Sequence, residues 1–112
     1  MNFRLMRVTG ASMTPTLPPG RLVLVDRRPR ALRRLAPGQL VAARVREPGS
    51  PGTIVKRIAA GPGGTHEAAG LRWELGADEF FLQGDAPDSR DSRVFGPVRR
   101  EEITGRVRPL PF

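Results

Sequence analysis

Glycine or proline occupies 25 of the 112 positions of this chain, and that density limits what it can fold into. Proline removes a backbone donor and glycine loses the most conformational freedom on ordering, so both interrupt helices and favour turns. The chain is thereby cut into many short elements, which argues against a helical bundle and for strands joined by tight turns. A length of 112 residues suits one compact domain and is too short for two ordinary ones. The expectation is a single all-β domain over residues 1–112.

Apolar runs of strand length lie between the breakers. Strands are predicted over 3–9, 21–26, 39–46, 53–60 and 103–110, and "LRWEL" with "EFFLQG" (71–75 and 79–84) is predicted to form a hairpin. In the 39–46 strand Val41, Ala43 and Val45 share one face. "GPGG" (61–64) reads as a turn, because no Gly-Lys-Ser/Thr follows it to cradle a phosphate. No repeat or internal linker is visible.

The net charge of +8 comes from 18 arginines against a single lysine, Lys56. The densest run, "DRRPRALRR" (26–34), is interrupted by Pro29 and carries no aromatic for base stacking, so it reads as a solvated loop rather than a nucleic-acid surface. An arginine-rich module for nucleic acid or an anionic membrane is the non-enzymatic alternative. The chain lacks cysteine and has one histidine, His66, so neither a thiolate zinc site nor a histidine cluster is available, and no metal or cofactor is expected. The opening "MNFRLMRV" has arginines where a signal peptide needs an apolar run, and no stretch approaches the ~20 apolar residues of a membrane helix. The expectation is a cytoplasmic protein with no anchor of its own, with peripheral membrane contact left open.

Lys56 is, apart from His66, the sole basic side chain able to act as a proton acceptor, since arginine stays protonated. Period-two alternation sets Lys56 on one strand face with Ile54 and Ile58, while Val55 and Arg57 point the other way. An amine between two isoleucines is poorly hydrated, and burial disfavours its charged form. Neutrality near pH 7 needs a fall of about 3 from ~10.4, equivalent to about 4 kcal/mol, within what full burial supplies. Near the start, "GASMTPTLPPG" (10–20) exposes Ser12 in a proline-bounded turn. Further on, "GDAPDSRDSRVFGPV" (84–98) reads as a loop in which Asp85, Asp88 and Asp91 satisfy local amides and pair with Arg90 and Arg93. His66, in a glycine-flanked loop, reads as a surface residue; a Ser-His-Asp triad built on it has nothing to position it.

Taken in order, "GASMTPTLPPG", "IVKRIAAGPGG" and "GDAPDSRDSRVFGPV" resemble the three signature boxes of type I signal peptidases, covering most of residues 8–98. The resemblance implies a compact core of twisted antiparallel sheets with the site on an open edge groove. It also implies a serine endopeptidase that cleaves a leader from a precursor protein, with no cofactor. It makes Ser12 the nucleophile and Lys56 the general base. Ser89 would orient the lysine amine, and Asp91 with Arg93 would form a supporting ion pair. The oxyanion would meet the amide of Ser12 with help from position 10, where some relatives carry a serine and this chain has Gly10. The substrate would add as a strand between the segments before Ser12 and Lys56. Val8, Met13, Leu17 and Val55 would line shallow pockets for small side chains.

The departures are specific. The asparagine usual after Gly-Asp is Ala86, and the loop before Asp91 is one residue short, which leaves Ser89 or Ser92 to hold the lysine. Only 27 residues separate Lys56 from Gly84, too few for the large inserted domain of some relatives. Among the short members it is similar to nickel superoxide dismutase maturation proteases, which process a metalloenzyme precursor. A self-cleaving repressor type also uses a Ser-Lys dyad, but carries a DNA-binding domain ahead of a serine that here follows only eleven residues.

Overall fold

A computed structural model describes residues 2–46 and 52–111. The elements among them are β1 (Phe3–Arg7), β2 (Leu22–Asp26), α1 (Pro29–Arg33), β3 (Leu40–Arg44), β4 (Thr53–Ala60), β5 (Thr65–Ala68), β6 (Leu71–Glu74), β7 (Glu79–Gln83), α2 (Ser92–Phe95), β8 (Val98–Arg99), a 3-10 turn (Arg100–Glu102) and β9 (Ile103–Pro109). Seven strands form one antiparallel sheet in the order β1-β2-β9-β3-β4-β7-β8, and β5 pairs with β6 apart from it. The sheet curls into a half-barrel, so the all-β expectation holds.

Both faces of the sheet are apolar, which is why β3 is buried along most of its length. Leu40 and Ala42 point to one side and join Val8, Met13, Leu17, Val23, Val25, Val55 and Val107 in a closed cluster. Val41, Ala43 and Val45 share the other side, as their alternation predicts, and pack with Ile58, Phe80, Leu82, Val98 and Ile103. A residue pair buried on each face removes more apolar surface from water than a one-sided sheet can, at roughly 25 cal/mol per Å².

Two sequence expectations are corrected. The arginine run is not a loop: Pro29 begins α1 instead of interrupting it, because a proline at the first helical position gives up a donor that has no partner there anyway. Leu32 and Leu35 then anchor the segment on the second cluster while its arginines face out. The predicted hairpin also has a different partner. β6 pairs with β5, Ala68 opposite Leu71, through a two-residue turn in which Ala69 and Gly70 have φ of 53° and 76°. Turns with both central residues at positive φ match the right-handed twist of a hairpin. His66 is therefore on a strand, and β7 pairs with β4 and β8 instead.

The pairing of β4 is irregular on one side. β4 pairs with β3 from Thr53 to Arg57, but its pairing with β7 starts only at Arg57, opposite Gln83. One edge of residues 53–56 is thus left without a strand partner among the described residues. The segment after β1 lies against that region, since Val8, Met13 and Leu17 pack in the same cluster as Val55. No helix among the described residues is long and apolar enough to cross a membrane.

Candidate functional site

Lys56 is only 4 % exposed. It shares its strand face with Ile54 and Ile58, and directly across β3 it meets Val41, which has no exposed surface. Burial pushes the Lys56 amine below the ordinary lysine value; the Asp91 carboxylate opposes that fall and the Arg93 guanidinium adds to it. Both of those groups belong to the 84–98 segment.

Ser12 sits in a loop closed on itself. Val8 donates its amide to Arg21 O at 2.9 Å and accepts from the Gly20 amide at 2.8 Å, so the loop is pinned at its base. Gly10 turns the chain with φ of 76°, a conformation that costs glycine little. Thr14 then donates twice to Ala11 O, from its amide at 3.1 Å and from Oγ1 at 2.7 Å, while Met13 and Leu17 plug the core below. Ser12 is left half-buried at the surface of this plug. Its carbonyl accepts the Ala86 amide at 2.9 Å, which joins the loop to the 84–98 segment.

Gly84 is the point where these pieces meet. A Cβ there would run into the Ser89 side chain and lie 2.6 Å from the Ser12 carbonyl oxygen, so no larger residue fits. The Gly84 amide donates to Asp91 Oδ2 at 2.7 Å. Asp91, with no exposed surface, also accepts from the Arg93 amide at 3.0 Å, capping α2, and from Arg93 Nε and Nη2 at 2.9 and 2.8 Å. Burial works to raise the Asp91 carboxyl, but the Arg93 side chain, the two amides and the nearby Ser89 hydroxyl together hold it below the usual carboxylate range. The ion pair expected between Asp91 and Arg93 is present.

The two serines of this segment differ sharply. Ser92 Oγ accepts the Leu82 amide at 2.9 Å in a fully buried setting, tying α2 to β7. Ser89 is 8 % exposed and its Oγ lies near Asp91, yet no partner among the described residues meets it at hydrogen-bonding geometry. Among the described residues the hydrogen bonds of the site run to backbone groups and to Asp91, and none joins Ser12 Oγ to Lys56 Nζ. Around Gly84 the structure thus brings together the Ser12 carbonyl, the Ser89 side chain and, through the Gly84 amide, the Asp91–Arg93 pair.

The sequence reading missed one tie. Asp85 does not satisfy a local amide; it accepts Arg57 Nε and Nη2 at 3.0 and 2.8 Å and the Thr16 hydroxyl at 2.6 Å. Arg57 Nη1 continues to Gly38 O at 2.8 Å. Asp85 thus fastens the Ser12 loop to β4 on the face opposite Lys56. The available signal was Arg57 itself, directed away from Lys56 by strand alternation with no partner yet assigned. Hydrogen bonds from Arg57 lower the Asp85 carboxyl, burial opposes, and the Thr16 hydroxyl helps.

The remaining expected residues divide between core and surface. Val8, Met13, Leu17 and Val55 lie in one cluster and are at most 7 % exposed. Gly10 has open space where a side chain would project. His66 is half-buried, its ring 4.6 Å from that of Phe81 and its Nε2 3.2 Å from Gln83 Oε1. No cluster of three or more His, Asp or Glu able to hold a metal ion occurs among the described residues.

Comparison with known families gives a match to the one described as signal peptidase, peptidase S26, over residues 1–71 and 64–110. No curated protein matches the chain.

Proposed function

Because the chain belongs to the signal peptidase family, peptidase S26, we propose that it is a serine endopeptidase that removes a leader or signal peptide from a precursor protein, with Ser12 as nucleophile and Lys56 as general base. The observation that carries this reading is the state of Lys56: the only lysine of the chain, 4 % exposed, with burial driving its amine toward the neutral form beside a loop that joins the Ser12 carbonyl. A serine hydroxyl is a weak nucleophile until a neutral base takes its proton, and a buried lysine is such a base.

The reaction runs in two halves. Neutral Lys56 accepts the Ser12 hydroxyl proton as Oγ attacks the scissile carbonyl carbon, and the carbonyl oxygen becomes an oxyanion facing the Ser12 amide. When the intermediate collapses, the C–N bond breaks, Lys56 returns the proton to the leaving amine, and an acyl ester remains on Ser12. Water, deprotonated by the same amine, then releases the acid and restores the serine. Arginine cannot fill this role because it does not give up its proton. The Ser89 hydroxyl, uncommitted in the free enzyme, donates to or accepts from the Lys56 amine and fixes its direction of attack.

The unpaired edge of residues 53–56 supports strand addition of the precursor beside β4. Val8, Met13, Leu17 and Val55 close the core beside that edge, each at most 7 % exposed, and the preference for small side chains before the cut is carried over from the family. The decisive experiment compares Ser12→Ala and Lys56→Arg with the wild type on peptides carrying alanines before the cleavage point. Each variant is expected to keep its circular dichroism spectrum and Tm while cleavage falls by roughly 10³-fold or more. Substantial turnover by Lys56→Arg would remove Lys56 as the base.

A further inference from the structure

Both ends of the loop that carries Ser89 and Asp91 are held by one hairpin. His66 of β5 and Trp73 of β6 are direct cross-strand neighbours. Their rings rest together on Phe81 of β7, with centroid separations of 4.6 and 5.5 Å. From that seat they reach in two directions. His66 Nε2 meets Gln83 Oε1 at 3.2 Å, immediately before Gly84. Trp73 Cζ3 lies 3.6 Å from where a Cβ on Gly96 would stand, and Gly96 is the residue that ends α2. Between those two contacts run Gly84, Ser89 and Asp91.

The hairpin is itself fixed to the body of the protein. The Leu75 amide closes its base by donating to Gly64 O at 2.9 Å, and Leu75 packs with Ala60 of β4 and Phe81 of β7. Trp73 Nε1 is buried without a hydrogen-bond partner among the described residues. An orphaned indole N–H is costly, so a tryptophan here is retained for the reach of its ring and not for its polar group. The loop needs such support. Nothing within it satisfies the Ser89 hydroxyl, and side chains on loops are placed less tightly than those on strands and helices.

We propose that the β5–β6 hairpin, through His66 and Trp73, is a brace that holds the 84–96 loop, and with it Ser89 and Asp91, against Lys56. His66 and Trp73 are then positioning residues: His66 clamps the entrance of the loop through Gln83, and Trp73 backs its exit at Gly96. The effect on turnover rests on the Ser12–Lys56 dyad, but the effect on Lys56 itself does not.

The single lysine makes the test direct. In protein labelled only at lysine, one side-chain NMR signal reports the titration of Lys56 without substrate, and the charged groups that act on that amine are Asp91, which raises it, and Arg93, which lowers it. His66→Phe keeps a ring over Phe81 and deletes the bond to Gln83; Trp73→Leu shortens the contact with Gly96. Each is expected to raise the Lys56 midpoint toward the ordinary lysine value, as the loosened loop admits water. Turnover should fall by about tenfold with KM changed by less than about twofold. Leu71→Ser, at the 57 % exposed tip of the hairpin, should alter neither. A Lys56 midpoint unmoved in His66→Phe overturns the brace, whatever the activity, and that variant decides alone if Trp73→Leu does not fold. Lost turnover with an unmoved midpoint would make His66 a participant in the chemistry instead. Undiminished cleavage by Ser12→Ala would sink the dyad reading while the NMR titration still decided the brace.

Discussion

At the scale of single residues, Ser89 and Ser92 show how a buried hydroxyl is assigned work by its neighbours. The sequence leaves either serine able to hold the lysine, since the loop before Asp91 is one residue short. Packing separates them: Ser92 Oγ already accepts the Leu82 amide, whereas Ser89 Oγ is buried beside Gly84 with no partner among the described residues. Leaving a buried hydroxyl unpaired is unfavourable by about 1–3 kcal/mol, a cost that makes sense where the group meets a partner during the reaction. Ser89→Ala is therefore expected to lower kcat by about 10–100-fold with KM nearly unchanged and Tm unchanged or slightly higher. Ser92→Ala, which orphans the Leu82 amide, is expected to reduce stability by about 1–3 kcal/mol instead. Steady-state kinetics and thermal melts on the two variants check this, and the reverse pattern would transfer the orienting role to Ser92. Lys56 was the most legible residue of the site, because its strand and its apolar neighbours followed from alternation alone. Gly84 was not legible in this way: its need to be glycine comes from Ser89 of its own loop folding back and from Ser12, distant in sequence and brought there only by the fold.

Among the elements, β3 and β4 were readable because their apolar residues alternate over enough positions to fix a face. The exchange of partners around β6 was not, since a strand of four residues carries little periodicity and the turn at Ala69–Gly70 needs positive φ at an alanine, a residue that rarely adopts it. α1 was misread for a related reason: proline breaks a helix from within and starts one from the front, and only its packing through Leu32 and Leu35 distinguishes the two. The tie through Asp85 operates at this scale too, joining three elements that the chain separates by up to 69 residues. Thr16 lies in the Ser12 loop, Arg57 on β4 and Asp85 in the loop that follows β7. Asp85→Asn keeps the shape and removes the charge that Arg57 grips bidentately. It is expected to reduce kcat/KM by about tenfold, because the Ser12 loop then shifts relative to Lys56, while Tm falls only modestly for a pair whose arginine is 35 % exposed. Wild-type kcat/KM in Asp85→Asn would show that the plug of Met13 and Leu17 places Ser12 without this tie.

Across the whole molecule, Asp26 marks the joint at which the curled sheet, its last strand and α1 are fastened. It stands in β2 between Phe3 of β1 and Arg106 of β9. Its carboxylate accepts from the Arg28 amide at 3.1 Å and from Arg28 Nε and Nη2 at 3.0 and 2.8 Å, with Arg108 of β9 3.7 Å away. Arg28 also lies over the Phe3 ring. Hydrogen bonds from the Arg28 side chain, against the opposing effect of burial, hold the Asp26 carboxyl at about 2. In the unfolded chain the same group titrates near ~3.9. A carboxyl lowered on folding stabilises the native state at pH values above the unfolded value, and that contribution is lost as pH falls toward the folded one. Asp85 and Asp91 are lowered as well and act in the same sense. Lys56 adds a rise in the alkaline range, because between its lowered folded value and the ordinary one the unfolded chain binds the extra proton. Although Asp26 has no exposed surface, what covers it is a pair of guanidiniums 45 % and 47 % exposed, so salt screens this joint far more than it does Asp91 with its 20 % exposed arginine. Thermal melts of Asp26→Asn and wild type are therefore expected to differ by a few degrees at pH 6, to converge as pH falls from about 4 to about 2, and to differ less at 1 M salt. A gap that persists undiminished at pH 2 would mean that Asp26 holds the joint by shape rather than by charge.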